Sequence, residues 1–156
     1  MMNTTEEVGY CVGDIMRMNV FSMSKTESLL TCARTMRDKK IGALIITDSK
    51  MRPLGIVTER DMVRKAMVDD VTPSYLKAED VMETSLITVS PSDALMDAMR
   101  LMRDHDIRHL PVVNKGKLVG FVTVKDLLSV QPELFELWAE HTTIVSRKER
   151  LLKREV

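Results

Sequence analysis

Gly55-Ile56-Val57-Thr58-Glu59-Arg60-Asp61 and Gly120-Phe121-Val122-Thr123-Val124-Lys125-Asp126 are two versions of one phrase: glycine, two apolar residues, threonine, two variable residues, aspartate. The match extends outward from both. Asp14-Ile15-Met16 returns as Asp80-Val81-Met82, Ser24 as Ser90, Leu29 as Leu95, and Met36-Arg37-Asp38 as Met102-Arg103-Asp104, all at one spacing. Ile41 and Leu44 return as Ile107 and Leu110, and the spacing then contracts by one residue before the quoted phrase. Matches kept in order over this length identify an internal duplication.

Each copy reads β-α-β-β-α. A short apolar stretch, Val20 to Met23 or Leu86 to Val89, is too short for a helix and opens the unit as a strand. Ser90-Pro91-Ser92-Asp93 signals a helix start, with Ser or Asp to cap free N–H groups. Leu95, Met96, Ala98, Met99 and Met102 follow at helical spacing, matched by Leu29, Leu30, Ala33 and Met36. Two strands joined by a polar turn come next (Ala43 to Thr47 and Leu54 to Thr58; Leu110 to Val113 and Leu118 to Thr123), then a second helix at Asp61 or Asp126. One such unit buries little apolar area alone. The expected fold is therefore α/β (α+β), with two repeats packed sheet to sheet about a pseudo-twofold axis and two related clefts. The expected divisions are an N-terminal extension (1–9), repeat 1 (10–68), a linker (69–77), repeat 2 (78–130) and a C-terminal helical tail (131–156).

The composition is that of a globular protein. Of 156 residues, 44% are hydrophobic and 29% charged, and Lys+Arg and Asp+Glu balance at 23 each, which gives no global attraction to nucleic acid. No apolar run approaches the roughly 20 residues of a membrane span. A polar, acidic start and only two cysteines, Cys11 and Cys32, point to a chain without a signal peptide in a reducing, cytoplasmic setting.

A strand that ends in threonine and enters a helix presents unpaired N–H groups and the positive end of the helix dipole, which together attract phosphate. An aspartate three residues on can accept hydrogen bonds from two vicinal hydroxyls, as acidic residues do for ribose in dinucleotide folds. Thr-x-x-Asp is also the spacing of a capping box, and the two roles coexist because a capped turn keeps its other donors.

With Ile107-Arg108-His109-Leu110-Pro111-Val112-Val113, these phrases resemble the CBS domain family, in which two copies form a CBS pair, or Bateman module. The resemblance covers about residues 10 to 129. It implies a non-catalytic sensor that binds an adenosine-containing ligand (AMP, ADP, ATP or an S-adenosylmethionine-like molecule) between the repeats, uses no catalytic cofactor, and forms a homodimer acting on an unidentified protein partner. Carried over residue by residue, Thr58 and Asp61 would hold ribose, Arg108, His109 and Lys125 would meet phosphate, and Ile87 and Thr88 would face the base. The second cleft, around Thr123 and Asp126, would be lined by Val20, Phe21, Ile41, Gly42, Ala43 and Arg60. Because Gly42 and Ala43 stand where the second copy has Arg108 and His109, the two clefts are expected to differ, with the Asp126 cleft weaker or suited to a less charged adenosine derivative.

Other signals point elsewhere only weakly. His105 and His109 are four apart, but the helical pattern ends near His105, so they do not form a metal pair. No P-loop, GxGxxG or nucleophile motif occurs, and the 13 methionines fall largely at core spacing. Pro132 to His141 reads as an amphipathic helix packing on the module or on a second subunit. Arg147 to Glu155 carries five basic and two acidic residues, read first as a solvated helix end. Two alternatives stay open: a structural interaction module with vestigial clefts, and a nucleic-acid-binding regulator using that basic tail.

Overall fold

Two antiparallel hairpins form the centres of the repeats. In the first, β2 (Ala43–Thr47) pairs with β3 (Pro53–Thr58), and β1 (Ser22–Met23) adds to β2 in parallel to give the order β1-β2-β3. In the second, β4 (His109–Asn114) pairs with β5 (Lys117–Thr123). The computed structural model describes residues 9–68 and 71–139. The β4–β5 turn places Lys115 and Gly116 both at positive φ, 49° and 76°, the geometry that lets a two-residue turn follow strand twist. The register shifts between Ile46 and Thr47 and, at the matching place, between Val112 and Val113.

The first helix of each repeat, α2 (Leu29–Lys39) or α5 (Leu95–Asp104), turns its apolar stripe onto its own sheet. Ser28 caps α2 by accepting from Thr31 N at 3.1 Å. The expected cap at Ser90–Asp93 is corrected. There Asp93 accepts from Ser90 N at 2.8 Å within a preceding turn, and α5 begins after Ala94, which has no capping side chain. Instead Leu95 N reaches the carbonyl of Tyr10 at 3.3 Å.

That contact belongs to an exchange between the repeats. The lead-in helical turn of repeat 1, α1 (Val12–Ile15), inserts Val12 into the core of repeat 2, while that of repeat 2, α4 (Ala78–Val81), inserts Ala78 and Val81 into the core of repeat 1. The backbone repeats this twofold: Val12 N donates to Asp93 O and Ala78 N to Glu27 O, both at 2.8 Å. Arg17 pairs with Phe121 on β5, and Glu83 pairs with Ile56 on β3. Met16 and Met82 lie across Gly120 and Gly55: a Cβ on Gly120 would stand 2.5 Å from Met16 Sδ, and one on Gly55 2.7 Å from Met82 Sδ. The glycine that opens each quoted phrase is where the other repeat's lead-in segment crosses the strand.

The expected opening strands are shorter than the apolar stretches. Val20 to Met23 gives only the two residues of β1, and Leu86 to Val89 gives a single parallel bridge from Val89 to Val112. Pro111 is the reason. In repeat 1, Ile45 N donates to Phe21 O at 3.5 Å; Pro111 holds the matching place and has no N–H to donate.

The tail is part of the fold as far as it is described. Residues 134–139 are helical, and Leu134, 1% exposed, enters the core of repeat 2, with Leu137 and Trp138 packed beside it. Arg147 to Glu155 and His141 lie outside the described residues. None of the helices among the described residues is long and apolar enough to cross a membrane.

Candidate functional site

Both Thr-x-x-Asp phrases form capping boxes where a strand becomes a helix. The helices begin two residues earlier than expected, with threonine as the cap and aspartate as the third helical residue: α3 (Glu59–Asp61), which runs into a π-helical turn Met62–Ala66, and α6 (Val124–Val130). Asp61 N donates to Thr58 Oγ1 at 3.1 Å, while Thr58 N and Oγ1 donate to Asp61 Oδ2 at 3.0 and 2.7 Å. At the second site Asp126 N donates to Thr123 Oγ1 at 3.3 Å, and Thr123 N and Oγ1 donate to Asp126 Oδ2 at 2.9 and 2.8 Å. The box fixes each carboxylate by one oxygen and turns Oδ1 away from the cap.

What meets Oδ1 differs between the sites. Lys65 Nζ stands 3.5 Å from Asp61 Oδ1 and donates to the Val81 carbonyl, at the end of α4, at 3.0 Å. At the other site Arg17 donates to Asp126 Oδ1 from Nε at 3.1 Å and from Nη2 at 2.7 Å. Neither cation was among the residues expected from sequence. A signal was nevertheless present: Arg17 directly follows Asp14-Ile15-Met16, whereas Glu83 directly follows Asp80-Val81-Met82.

The expected phosphate-facing residues divide by position. Arg108 and Lys125 are exposed, and Val124 N donates to the Arg108 carbonyl at 3.1 Å, tying β4 to the start of α6. His109 pairs across the sheet with Thr123 and stacks on Phe121 with ring centroids 5.7 Å apart. Burial, then the neighbouring cations Arg108 and Arg60, hold its imidazole below the ordinary histidine pKa, with Asp126 opposing them. His109 is thus grouped with Arg60 of repeat 1 and with Asp126 of its own repeat. Gly42 lies beneath Glu59: a Cβ there would stand 3.3 Å from Glu59 Oε2, so repeat 1 has a carboxylate near the place where repeat 2 has Arg108.

Most of the remaining expected lining residues are more buried, Arg60 and Thr88 excepted. Phe21 and Ile41 pack against the core of repeat 1, Lys39 Nζ lies 5.4 Å from the Phe21 ring centroid, and Ala43 is buried beside Thr58. Val20 is half-buried, Ile87 packs on the core of repeat 2, and Thr88 is exposed. A groove of about 380 Å³, absent from the sequence reading, runs over Ser22–Thr26, Thr47–Ser49 and Leu54, at the opposite end of β2 from Thr58.

Cys32 is buried, and its thiol pKa is raised by burial and by Glu27. His105 closes α5 while His109 begins β4, and among the described residues no group of three His, Cys, Asp or Glu side chains is placed to hold a metal ion.

Two segments, residues 12–68 and 78–133, match the family model described as the CBS domain. The chain belongs to the CBS domain family. As a CBS pair it is similar to an uncharacterized protein of Methanopyrus kandleri, 40% identical over 124 residues that cover 79% of this chain and 63% of that one. It is also similar to Hypoxic response protein 1 of Mycobacterium tuberculosis, 32% identical over 120 residues covering 77% of this chain and 84% of that one. Among solved structures, CBSX2 in complex with AMP superposes with a TM-score of 0.70 at 27% identity, over 81% of this chain and 98% of that one. The α/β architecture read from the duplication is that of this family's pairs.

Proposed function

We propose that this CBS pair is a non-catalytic regulatory module that binds an adenosine-containing ligand between its repeats and acts on a partner in trans. One observation carries the reading: each capping box consumes one oxygen of its aspartate and turns Oδ1 out of the cap at a helix start, where a partly exposed cation, Lys65 or Arg17, meets it. A vicinal diol suits that oxygen. Glu59 N and Val124 N already donate to the Gly42 and Arg108 carbonyls, and Asp61 N and Asp126 N to the threonine caps, so phosphate is assigned to side chains rather than to the helix starts. The AMP bound by the similar protein CBSX2 supports the same ligand class. Arg108, His109 and Lys125 are the proposed phosphate contacts, Ile87 and Thr88 the proposed base contacts, and the cytoplasm the proposed compartment. A second copy of the chain is the proposed first partner, with Val63 and Met67 available at 57% and 74% exposure.

A partner responds only if the ligand binds the module's states with different affinity. Thermal denaturation with AMP tests the binding step: at a hundredfold excess over the dissociation constant, stability should rise by about 2.7 kcal/mol. Asp61→Ala should reduce that gain. The competing reading, a structural module with vestigial clefts, draws on the cations already standing at both Oδ1 atoms. It is favoured if AMP, ADP, ATP, S-adenosylmethionine and NADH all leave the transition unmoved.

A further inference from the structure

Asp126 has both carboxylate oxygens engaged inside the protein: Oδ2 by the Thr123 box and Oδ1 by the Arg17 fork. We infer that Arg17 governs occupancy of the Asp126 cleft, because its guanidinium stands on the carboxylate oxygen that a ribose diol would take. The inference rests on the ligand class proposed above and adds the residue that makes the two clefts unequal.

The latch comes from the other repeat. Arg17 follows α1, and its backbone is fixed to β5 by Arg17 N donating to Phe121 O at 2.9 Å and Phe121 N donating to Arg17 O at 3.0 Å. Its side chain is 60% exposed, whereas that of Asp126 is only 14% exposed. The guanidinium can therefore rotate into solvent without breaking the backbone pairing, while the carboxylate stays where the capping box holds it.

Among the described residues the Asp61 site has no such fork. The matching residue, Glu83, has the wrong charge to hold a carboxylate, and its Oε1 accepts from Ser85 N at 2.9 Å. Lys65 is nearer the Val81 carbonyl, at 3.0 Å, than Asp61 Oδ1, at 3.5 Å. A diol approaching Asp61 competes with one ammonium ion pair at 3.5 Å; a diol approaching Asp126 must displace two charge-assisted hydrogen bonds, at 3.1 and 2.7 Å. The ligand is thus expected to fill the Asp61 cleft first.

Isothermal titration with AMP on four proteins tests this: wild type, Asp61→Ala, Asp61→Ala/Arg17→Ala and Asp61→Ala/Arg17→Gln. The last keeps a polar stem should the alanine variant fold poorly. Wild type should bind about one AMP per chain. Unlatching in the Asp61→Ala background should tighten the remaining site by about tenfold, because a charge-assisted pair is strong but this one is partly solvated. Adenosine should show the same gain, since it carries the diol and no phosphate to miss the lost cation, and 2′-deoxyadenosine should show less. If wild type binds AMP but unlatching leaves affinity unchanged or weakens it for both AMP and adenosine, the role of Arg17 is refuted and the functional reading stands. If none of the four binds AMP, both fall.

Discussion

Replacing Gly120 by alanine probes the exchange of lead-in segments directly. The new Cβ would stand 2.5 Å from Met16 Sδ, 3.0 Å from its Cγ and 3.2 Å from its Cβ. Relaxed contacts between such atoms lie near 3.5–4.0 Å, so the overlap approaches about 1 Å. The sulfur alone could swing away, but Met16 Cβ cannot, because Met16 N is bonded to Val12 O at 2.9 Å and the next residue is paired to Phe121. Overpacking of this kind costs about 1–3 kcal/mol. The loss of glycine's freedom in the unfolded chain offsets about 0.4–1 kcal/mol. The net expectation is a loss of about 1–2 kcal/mol, or about 3–6 °C in the melting temperature followed by circular dichroism. In a Met16→Ala background the two shortest contacts, to Sδ and Cγ, are gone and only the Cβ contact at 3.2 Å remains, so the same substitution should cost clearly less, a coupling expected only for residues in contact. Gly55→Ala should behave differently. Its Cβ meets the Glu83 backbone carbonyl at 3.0 Å as well as Met82, so Met82→Ala should rescue it only in part. Equal costs of Gly120→Ala with and without Met16, or no cost at all, would refute the packing of α1 against the second repeat.

Two further outcomes follow from the same contacts. Leu134→Ala should lower stability by about 2–3 kcal/mol in a denaturant titration, since a residue with 1% exposure leaves a cavity in the repeat 2 core; an unchanged midpoint would mean the tail is not docked. His109 has its folded-state pKa lowered by burial and by Arg108 and Arg60, against Asp126, so the unfolded chain binds the proton more readily. Stability should then be complete above the unfolded value of about 6.5 and fall as the pH drops from there toward the folded value, and His109→Phe, which keeps the ring against Phe121, should flatten melting temperature against pH in that window. A wild-type profile already flat there would refute the assignment.

The duplication, the element order and the Thr-x-x-Asp sites were legible because they depend on local pattern: apolar periodicity, strand-to-helix junctions and capping spacing. The second repeat's missing strand was legible in principle, since Pro111 removes one donor from the ladder. The apolar stretch Leu86 to Val89 concealed it, because apolarity reports burial and not pairing. The cap at Ser90–Asp93 was misplaced for a different reason. The start of α5 is covered by the backbone of Tyr10, a partner distant in sequence that no local signal specifies. The exchange of α1 and α4 belongs to the same class. Val12, Ala78 and Val81 read locally as members of the repeat they precede, and only packing assigns them to the other.

That exchange also explains why similar copies yield unequal sites. If each lead-in segment packed on its own repeat, Arg17 would face the Asp61 site and Glu83 the Asp126 site. Crossed over, Arg17 meets Asp126 in a forked pair, and Glu83 is left beside β3, where it is held by Ser85 N. The difference between Gly42-Ala43 and Arg108-His109 is only one part of this asymmetry. It places basic residues on β4, yet His109 stays close to its own repeat's Thr123 and within the field of Asp126. The residue that reaches the Asp126 carboxylate is contributed by a segment 109 positions away in the chain. A charge reversal at one matched pair of positions, carried across the pseudo-twofold by the lead-in turns, is enough to give one fold two sites with different competitors for the same kind of oxygen.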